Sequence, residues 1–459
     1  MLVLSSWVLA RKPKVINPFI VEHPLLALLK RKFNCLSARK GIVLNREEFQ
    51  TVTQRKLILI SLDWTRPKDP PLSLVNVPNF LPDDVVEFIM MYANPCIDVA
   101  IGAFVWNEQA VQHILKKLKK HKFPGKVILG GPQVSYVKKG IEEYYPYADI
   151  FIRIHYFGNP DLGLSAVTEL DTLPSPFLNK FISPQRFIRW ETQRGCPFRC
   201  AFCQHRESDV SMKRRQFPMS RVIQEAEWIA KHSNIQDVAV LDPTFNSGPY
   251  YLDIMDKLIK EKYRGKLALQ CRIEMIKKEF LDRVVQLNDT AETVLEFGLQ
   301  TTNSKEQAII DRPNNMKIVE KVLTQVRERN IKTEVSLIFG LPEQTITSFK
   351  KSIDFCFNHK VPVIHAFPLM LLRGTPLHER KTELGLVESY EVASPEIDRV
   401  QTDIPHVVAS PSFTYEDWKE MSKIAESLET SAKNITKSFD GKHNVETTSS
   451  LQNFNTYIV

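Results

Sequence analysis

The 459-residue sequence lacks an apolar run long enough to span a membrane. Stretches such as Leu57–Ile60 and Leu369–Leu372 fall far short of the about twenty residues a spanning helix needs. It also lacks a strong charge imbalance: Lys+Arg 61 against Asp+Glu 53 gives a formal +8. Basic clusters at Arg11, Lys12, Lys14, Lys30, Arg31, Lys32, Arg39 and Lys40, and between Lys116 and Lys122, come with no RNA- or DNA-binding signature. They read as solvated faces, and no nucleic-acid partner is expected. The opening MLVLSSWVLA is apolar but begins without a charged region and ends without a cleavage site. It reads as a buried or docked segment rather than a secretory signal. There is no internal repeat. Cysteine is sparse, with seven residues at 35, 96, 196, 200, 203, 271 and 356. An odd number in a long chain is not a disulfide framework, and a cytoplasmic setting is expected.

With 43% apolar and 25% charged residues the chain can bury sizeable cores, and its length suggests two to four domains. Residues 1–54 read as an N-terminal extension of mostly helical character. From 55 to 165, apolar runs KLILISL (56–62), DVAIGAFVW (98–106), KVILGG (126–131) and DIFIRI (149–154) alternate with helical patterns such as Val111, Ile114, Leu115 and Leu118. Alternating strands and helices predict a doubly wound, Rossmann-like α/β domain with a parallel sheet. Three prolines, at 174, 176 and 184, place a linker over 166–186.

The alternation resumes over 187–385. Strands are expected at 187–193, 237–242, 266–271, 294–300, 332–340 and 363–371, with helices such as Ser220–Lys231 and Ile318–Arg329 between them. Six β/α units fit a partial barrel, with chemistry at the C-terminal ends of the strands. Residues 386–459 read as a small, mostly helical extension ending in a mobile Ser/Thr/Asn-rich tail.

Three of the seven cysteines fall within eight residues. RGCPFRCAFCQ carries Cys196, Cys200 and Cys203 in a C-x3-C-x2-C arrangement just after the first barrel strand. Three thiolates on one loop can bind three irons of a [4Fe–4S] cubane, leaving the fourth iron without a protein ligand. Zinc is the competing metal. It needs a fourth ligand, for which His205 is close at hand but awkward for tetrahedral closure.

This segment, with Arg194-Gly195 before it, Pro197 after the first cysteine and aromatic Phe202 before the third, resembles the signature of the radical S-adenosylmethionine (radical SAM) superfamily. The resemblance implies a partial (β/α)6 barrel and a [4Fe–4S] cluster on Cys196, Cys200 and Cys203. It further implies SAM chelated by the open iron and cleaved to a 5′-deoxyadenosyl radical. Other segments are similar to the family's strand-end motifs: VLDPTFN with Asp242, QCRIE with Arg272 and Glu274, LEFGLQTTN with Gln300 and Thr301, LIFGLPEQT with Gly340, and RGTPL at 373–377. With Phe202, these are the SAM-contact candidates that the resemblance implies. Read singly, Asp242 is a turn residue and Arg272–Glu274 an ion pair.

KVILGGPQVSY (126–136) resembles the third strand and loop of the cobalamin-binding domain that precedes many radical SAM barrels, which marks Gly130, Gly131 and Pro132 as corrinoid contacts. YPYADIFIR (145–153) and DTLPSPF (171–177) resemble its next strand and its linker. Two features depart from the family. The Asp-x-His-x-x-Gly cobalt-ligand motif is absent, and RIHYFGNP (153–160) stands where a Gly-Glu-Gly-Glu segment is usual. The leading expectation is a cobalamin-dependent enzyme transferring methyl to an unactivated carbon or phosphorus of an organic substrate, supplied by a flavodoxin- or ferredoxin-type reductant. The runner-up is a radical SAM enzyme with a degenerate corrinoid domain, performing cyclisation, rearrangement or hydrogen abstraction. A methylthiotransferase needs three further cysteines ahead of the triad, where only Cys35 and Cys96 stand. A non-enzymatic iron–sulfur protein leaves the SAM-type motifs unexplained. No general acid or base, and no substrate, can be named.

Overall fold

The computed structural model describes residues 56–60, 82–137, 140–153, 164–165, 170–205, 214–390 and 404–439. The extension 1–54, the segment 154–160 and the tail beyond 439 lie outside them. The chain divides into two compact units, Met1–Val167 and Thr168–Val459.

The first unit is a parallel sheet of β1 (Lys56–Ile60), β2 (Ile97–Gly102), β3 (Val127–Gly130), β4 (Ile150–Arg153) and β5 (Leu164–Ser165). Helices α1 (Pro82–Met91) and α2 (Glu108–Lys120) bury Val85 and Ile89, and Val111, Ile114, Leu115 and Leu118, against Val99, Ile101 and Leu129. The 3–4 spacing on α2 puts its four apolar side chains on one stripe while its lysines face solvent. The α/β class is as expected. The doubly wound order is not seen, because the described strands follow one another in sequence, β1-β2-β3-β4-β5, without a reversal. Periodicity reports which segments are strands and carries nothing about their order.

The second unit is built on a six-stranded, all-parallel sheet. Its strands are β6 (Phe187–Trp190), β7 (Asp237–Val240), β8 (Lys266–Cys271), β9 (Glu292–Gln300), β10 (Lys332–Phe339) and β11 (Val363–Pro368), adjacent in chain order. Helices α3 (Met219–Lys231), α4 (Tyr251–Lys260), α5 (Lys278–Leu287), α6 (Met316–Glu328) and α7 (Ile346–Asn358) fill the crossovers. β6 and β11 are the two ends of the sheet and do not pair, which is a partial barrel. Strands such as β7 are buried along their whole length, so they read as continuous apolar runs rather than as alternation.

Two boundaries move. The proline-rich stretch from Leu170 is not a free linker: Leu170 and Phe177 are buried in the second unit's core, and Phe177 stacks on Trp228 at 5.2 Å. Nor is the C-terminal region an appendage. β12 (Val387–Ser389) pairs antiparallel with β13 (His406–Ala409), and Val407 N donates to Leu369 O at 2.9 Å. Helix α8 (Tyr415–Phe439) buries Trp418, Met421, Ala425 and Leu428 in the same core, with the Trp418 ring 5.8 Å from that of Phe339. Trp418→Ala should therefore destabilise the protein by about 3–5 kcal/mol, read as a lower denaturant midpoint. An unchanged midpoint would make α8 dispensable to the barrel.

Candidate active site

The functional loop is set up by a buried carboxylate. Beyond Trp190, at the end of β6, the backbone N–H groups of Thr192 and Gln193 donate to Asp242 Oδ1 at 2.8 and 3.2 Å, and the Thr192 hydroxyl donates to Oδ2. Asp242 is fully buried, and that burial pushes its carboxyl up to about 7 against the pull of the three hydrogen bonds. It ties the start of the cysteine loop to the end of β7. Asp242, a SAM contact by the resemblance, has its carboxylate engaged by the loop.

The three cysteines then line one cleft of about 1130 Å3, open mouth included, over the C-terminal ends of the strands. Each sulfur has its own neighbour. Cys196 Sγ lies 3.5 Å from Thr244 Oγ1, Cys200 Sγ accepts from Arg312 Nη1 at 3.3 Å, and Cys203 Sγ accepts from His205 N at 3.4 Å. Burial holds the Cys196 and Cys203 thiols above the usual thiol range, Cys203 up to about 12, and the nearby Cys200 charge adds to both. Three bare thiolates crowded together in that setting are costly, and a bound cationic iron core removes the cost. Among the described residues, no three His, Cys, Asp or Glu side chains gather closely enough to hold a single metal ion. A cubane spreads its thiolates over separate irons and does not ask for that convergence. The donor set fits the cluster.

The strand-end candidates separate into two groups. Phe202, Arg272 and Gln300 line the cleft with the cysteines. Arg272 lies over the Phe198 ring at 4.6 Å, pairs with Glu274 at 2.7 Å and donates to Pro313 O at 2.7 Å. Gln300 stands at a β-bulge with φ +67°, which turns its side chain into the cleft. The neighbouring Gly298 makes room for it: a Cβ there would lie 2.5 Å from Gln300 Nε2.

Thr301, Glu274 and Gly340 do not line the cleft, and each has a structural reason. Thr301 is fully buried and donates to Glu306 at 2.5 Å, Glu274 is the partner of Arg272, and Gly340 (φ +84°) brings its backbone against Val407 O, where a Cβ would sit at 3.0 Å. The close approach described at Gly340 is to the chain itself. In the first unit, Gly131 (φ +94°) opens the one-turn helix Pro132–Ser135, and a Cβ there would lie 2.6 Å from Ala103 O.

Several cleft residues carry no signal in the sequence. Thr244 and Phe198 sit inside motifs that were read for other residues. Arg312 follows a short helix, Ser304–Ile309, in a segment with no recognisable pattern. On the inner face of the barrel, Gln270, Glu296 and Glu334 are in register across β8, β9 and β10. Burial first, then the Glu334 charge, pushes Glu296 up to about 8, and Glu334 meets the ring of fully buried His365 at 3.0 Å. Glutamates inside LEFG and TEVS pass for exposed strand residues until the registration of the sheet is known.

Known proteins share this partial six-stranded parallel barrel with its cysteine loop after the first strand. The sequence matches the Radical SAM superfamily over residues 190–356, and the chain carries a radical SAM domain there. It is 28% identical over 364 residues to the cobalamin-dependent radical SAM methyltransferase TokK of Streptomyces tokunonensis, covering 67% of this chain and 52% of that protein. It is 28% identical over 344 residues to the 2-(S-pantetheinyl)-carbapenam-3-carboxylate methyltransferase of Streptantibioticus cattleyicolor, covering 64% and 50%. The chain thus spans about half the length of these curated relatives. The solved structure of TsrM from Kitasatospora setae, with cobalamin and a [4Fe-4S] cluster bound, superposes with a TM-score of 0.57 at 14% identity. That match covers 82% of this chain and 89% of that one, and shows the shared fold.

Two outcomes test the site. Changing Cys196, Cys200 and Cys203 to Ala should abolish binding of about four irons and four sulfides per chain, while Cys35→Ala, Cys271→Ala and Cys356→Ala should leave the iron content intact. Asp242 gives a pH signature. Its native carboxyl titrates near 7 against an ordinary 3.8, so the folded form keeps a proton that the unfolded chain has lost. The resulting stabilisation is full below about pH 4 and is lost as pH rises through about 7. Asp242→Asn should flatten the fall in stability between those values, measured as urea midpoints at stepped pH. A slope equal to wild type would assign the dependence elsewhere.

Proposed function

We propose that the protein is a cobalamin-dependent radical SAM methyltransferase acting in the cytoplasm on an unactivated carbon or phosphorus of an organic substrate. Its electrons would come from a flavodoxin- or ferredoxin-type donor. The observation that carries this reading is the convergence of three loop thiols with Phe202, Arg272 and Gln300 on one cleft. Cys196, Cys200 and Cys203 hold the cluster, leaving one iron for SAM. Gln300, whose amide makes no hydrogen bond among the described residues, and Arg272, pinned by Glu274 and Pro313, face the bound SAM. When bound, the cluster supplies the electron that cleaves SAM and cobalamin carries the methyl group; the protein orients both and keeps water away.

For the corrinoid, the support is the edge of the first unit's sheet. Gly102 and Gly130 are register partners at the C-terminal ends of β2 and β3, with the Phe104 ring 3.0 Å from where a Gly102 Cβ would lie and the Gly130 position open. A Cβ at Gly130 would meet only ordinary contacts from 3.6 Å. A flat ligand lies against such an edge in α/β domains. The relatives' names and the TsrM fold point the same way. Gly131 belongs to the turn itself, because its missing Cβ is replaced by the Ala103 carbonyl; Gly131→Val would disturb the domain with or without a ligand.

The test is anaerobic reconstitution followed by two measurements. Reduced protein given SAM should release 5′-deoxyadenosine without added substrate. Hydroxocobalamin should bind at tens of micromolar, a free energy of at least about 6–7 kcal/mol. The Co(II) form should show no nitrogen superhyperfine splitting, as the sequence lacks the histidine motif. Release of 5′-deoxyadenosine with no corrinoid binding would replace methyl transfer by the cobalamin-independent reading.

A further inference from the structure

We infer that Arg312 sets the reduction potential of the cluster held by Cys196, Cys200 and Cys203, acting through the Cys200 sulfur. The inference rests on the cluster reading above but not on cobalamin or on any substrate. Arg312 is 9% exposed. Its Nη1 donates to Cys200 Sγ at 3.3 Å, its Nη2 donates to the carbonyl of Gly298, and its Nε is buried without a partner. No carboxylate pairs with it among the described residues. A second guanidinium, that of Arg272, is close enough to repel it and has Glu274 for itself. A buried cation without a counter-ion is costly unless something anionic is meant to sit against it. The Cys200 sulfur, a thiolate when the cluster is bound, is the group that the guanidinium touches.

The placement is built by the backbone. Asp311 takes φ +48°, Arg312 N donates to Gln307 O at 2.9 Å, and the carbonyl of Ile310 accepts from Ala201 N at 2.7 Å. The segment 310–312 is thereby docked on the same stretch of loop that carries Cys200, itself the most buried residue of the three cysteines at 7% exposure. In so dry a place the guanidinium is weakly screened. A [4Fe–4S]2+ core with three thiolates carries a net −1, and one-electron reduction takes it to −2. No bond forms or breaks; the electron comes from an external one-electron donor, which is oxidised. A fixed positive charge and an N–H donor on the ligating sulfur both favour the more negative state, so Arg312 makes reduction easier. It does so as a positioning residue, through Cys200.

The test is a mediator titration of the anaerobically reconstituted full chain, followed by electron paramagnetic resonance of the reduced cluster, with iron and sulfide counted and no SAM present. Leaving SAM out separates this role from any part Arg312 takes in holding SAM. Arg312→Gln should lower the equilibrium constant for reduction about tenfold, which is about 59 mV more negative for a one-electron couple. Arg312→Lys, which keeps the charge, should recover most of that shift. A fully loaded Gln variant at the wild-type potential overturns the inference, as does a Lys variant as low as Gln. Failure of both variants to hold iron also overturns it, making Arg312 a strut of the loop. A wild-type chain that binds no cluster would instead bring down the functional reading beneath it.

Discussion

The backbone of Ala201 is gripped from two directions: its N–H donates to Ile310 O at 2.7 Å and its carbonyl accepts from Leu377 N at 3.1 Å. Ala201 lies between Cys200 and Cys203, so these bonds fix the spacing of the thiols over the barrel mouth. Ile310 follows β9 and Leu377 follows β11, while the loop itself leaves β6. Gln204 adds a third tie, donating to Arg373 O at 2.9 Å. The cysteine loop is thus local in sequence and non-local in what holds it, and its geometry exists only when the far strands are in place.

Polar groups inside the second unit follow one logic. Asp242, Arg312, Glu296, Glu334 and His365 are all buried, where an unmatched charge is heavily penalised. Asp242 answers with three hydrogen bonds to the loop entrance, and Glu334 with His365. Arg312 has a thiol and a backbone carbonyl. Asn246 binds both the N–H and the carbonyl of Arg272 at 2.9 Å, locking the ends of β7 and β8 together. Buried polar networks of this kind are expensive to assemble and correspondingly specific.

Much of this was legible in the chain because burial leaves a period. Strand β8 runs over the expected residues 266–271, and α2, α3 and α6 lie within two residues of their apolar patterns. The triad was legible because its ligands share one loop and its spacing is covalent. Arg312 was not, since nothing in DRPNN reveals that a left-handed Asp311 aims the next side chain at a sulfur 112 positions earlier. Nor were the hydrogen bonds of Asp242 and Thr301 or the packing of Gly340: a motif marks a position at a strand end without saying whether the side chain faces the cleft or ties down its wall.

The sequence by itself determined the six β/α units and the cysteine triad with its radical SAM signature, since local periodicity and residue spacing survive without knowledge of the fold. Only the tertiary structure decided the strand order of the first unit, the integral place of α8, and which polar groups meet in the cleft. Those depend on registration between strands and on contacts across dozens to hundreds of residues. A cation such as Arg312 becomes chemically meaningful only when packing removes the water around it and leaves a sulfur in its place.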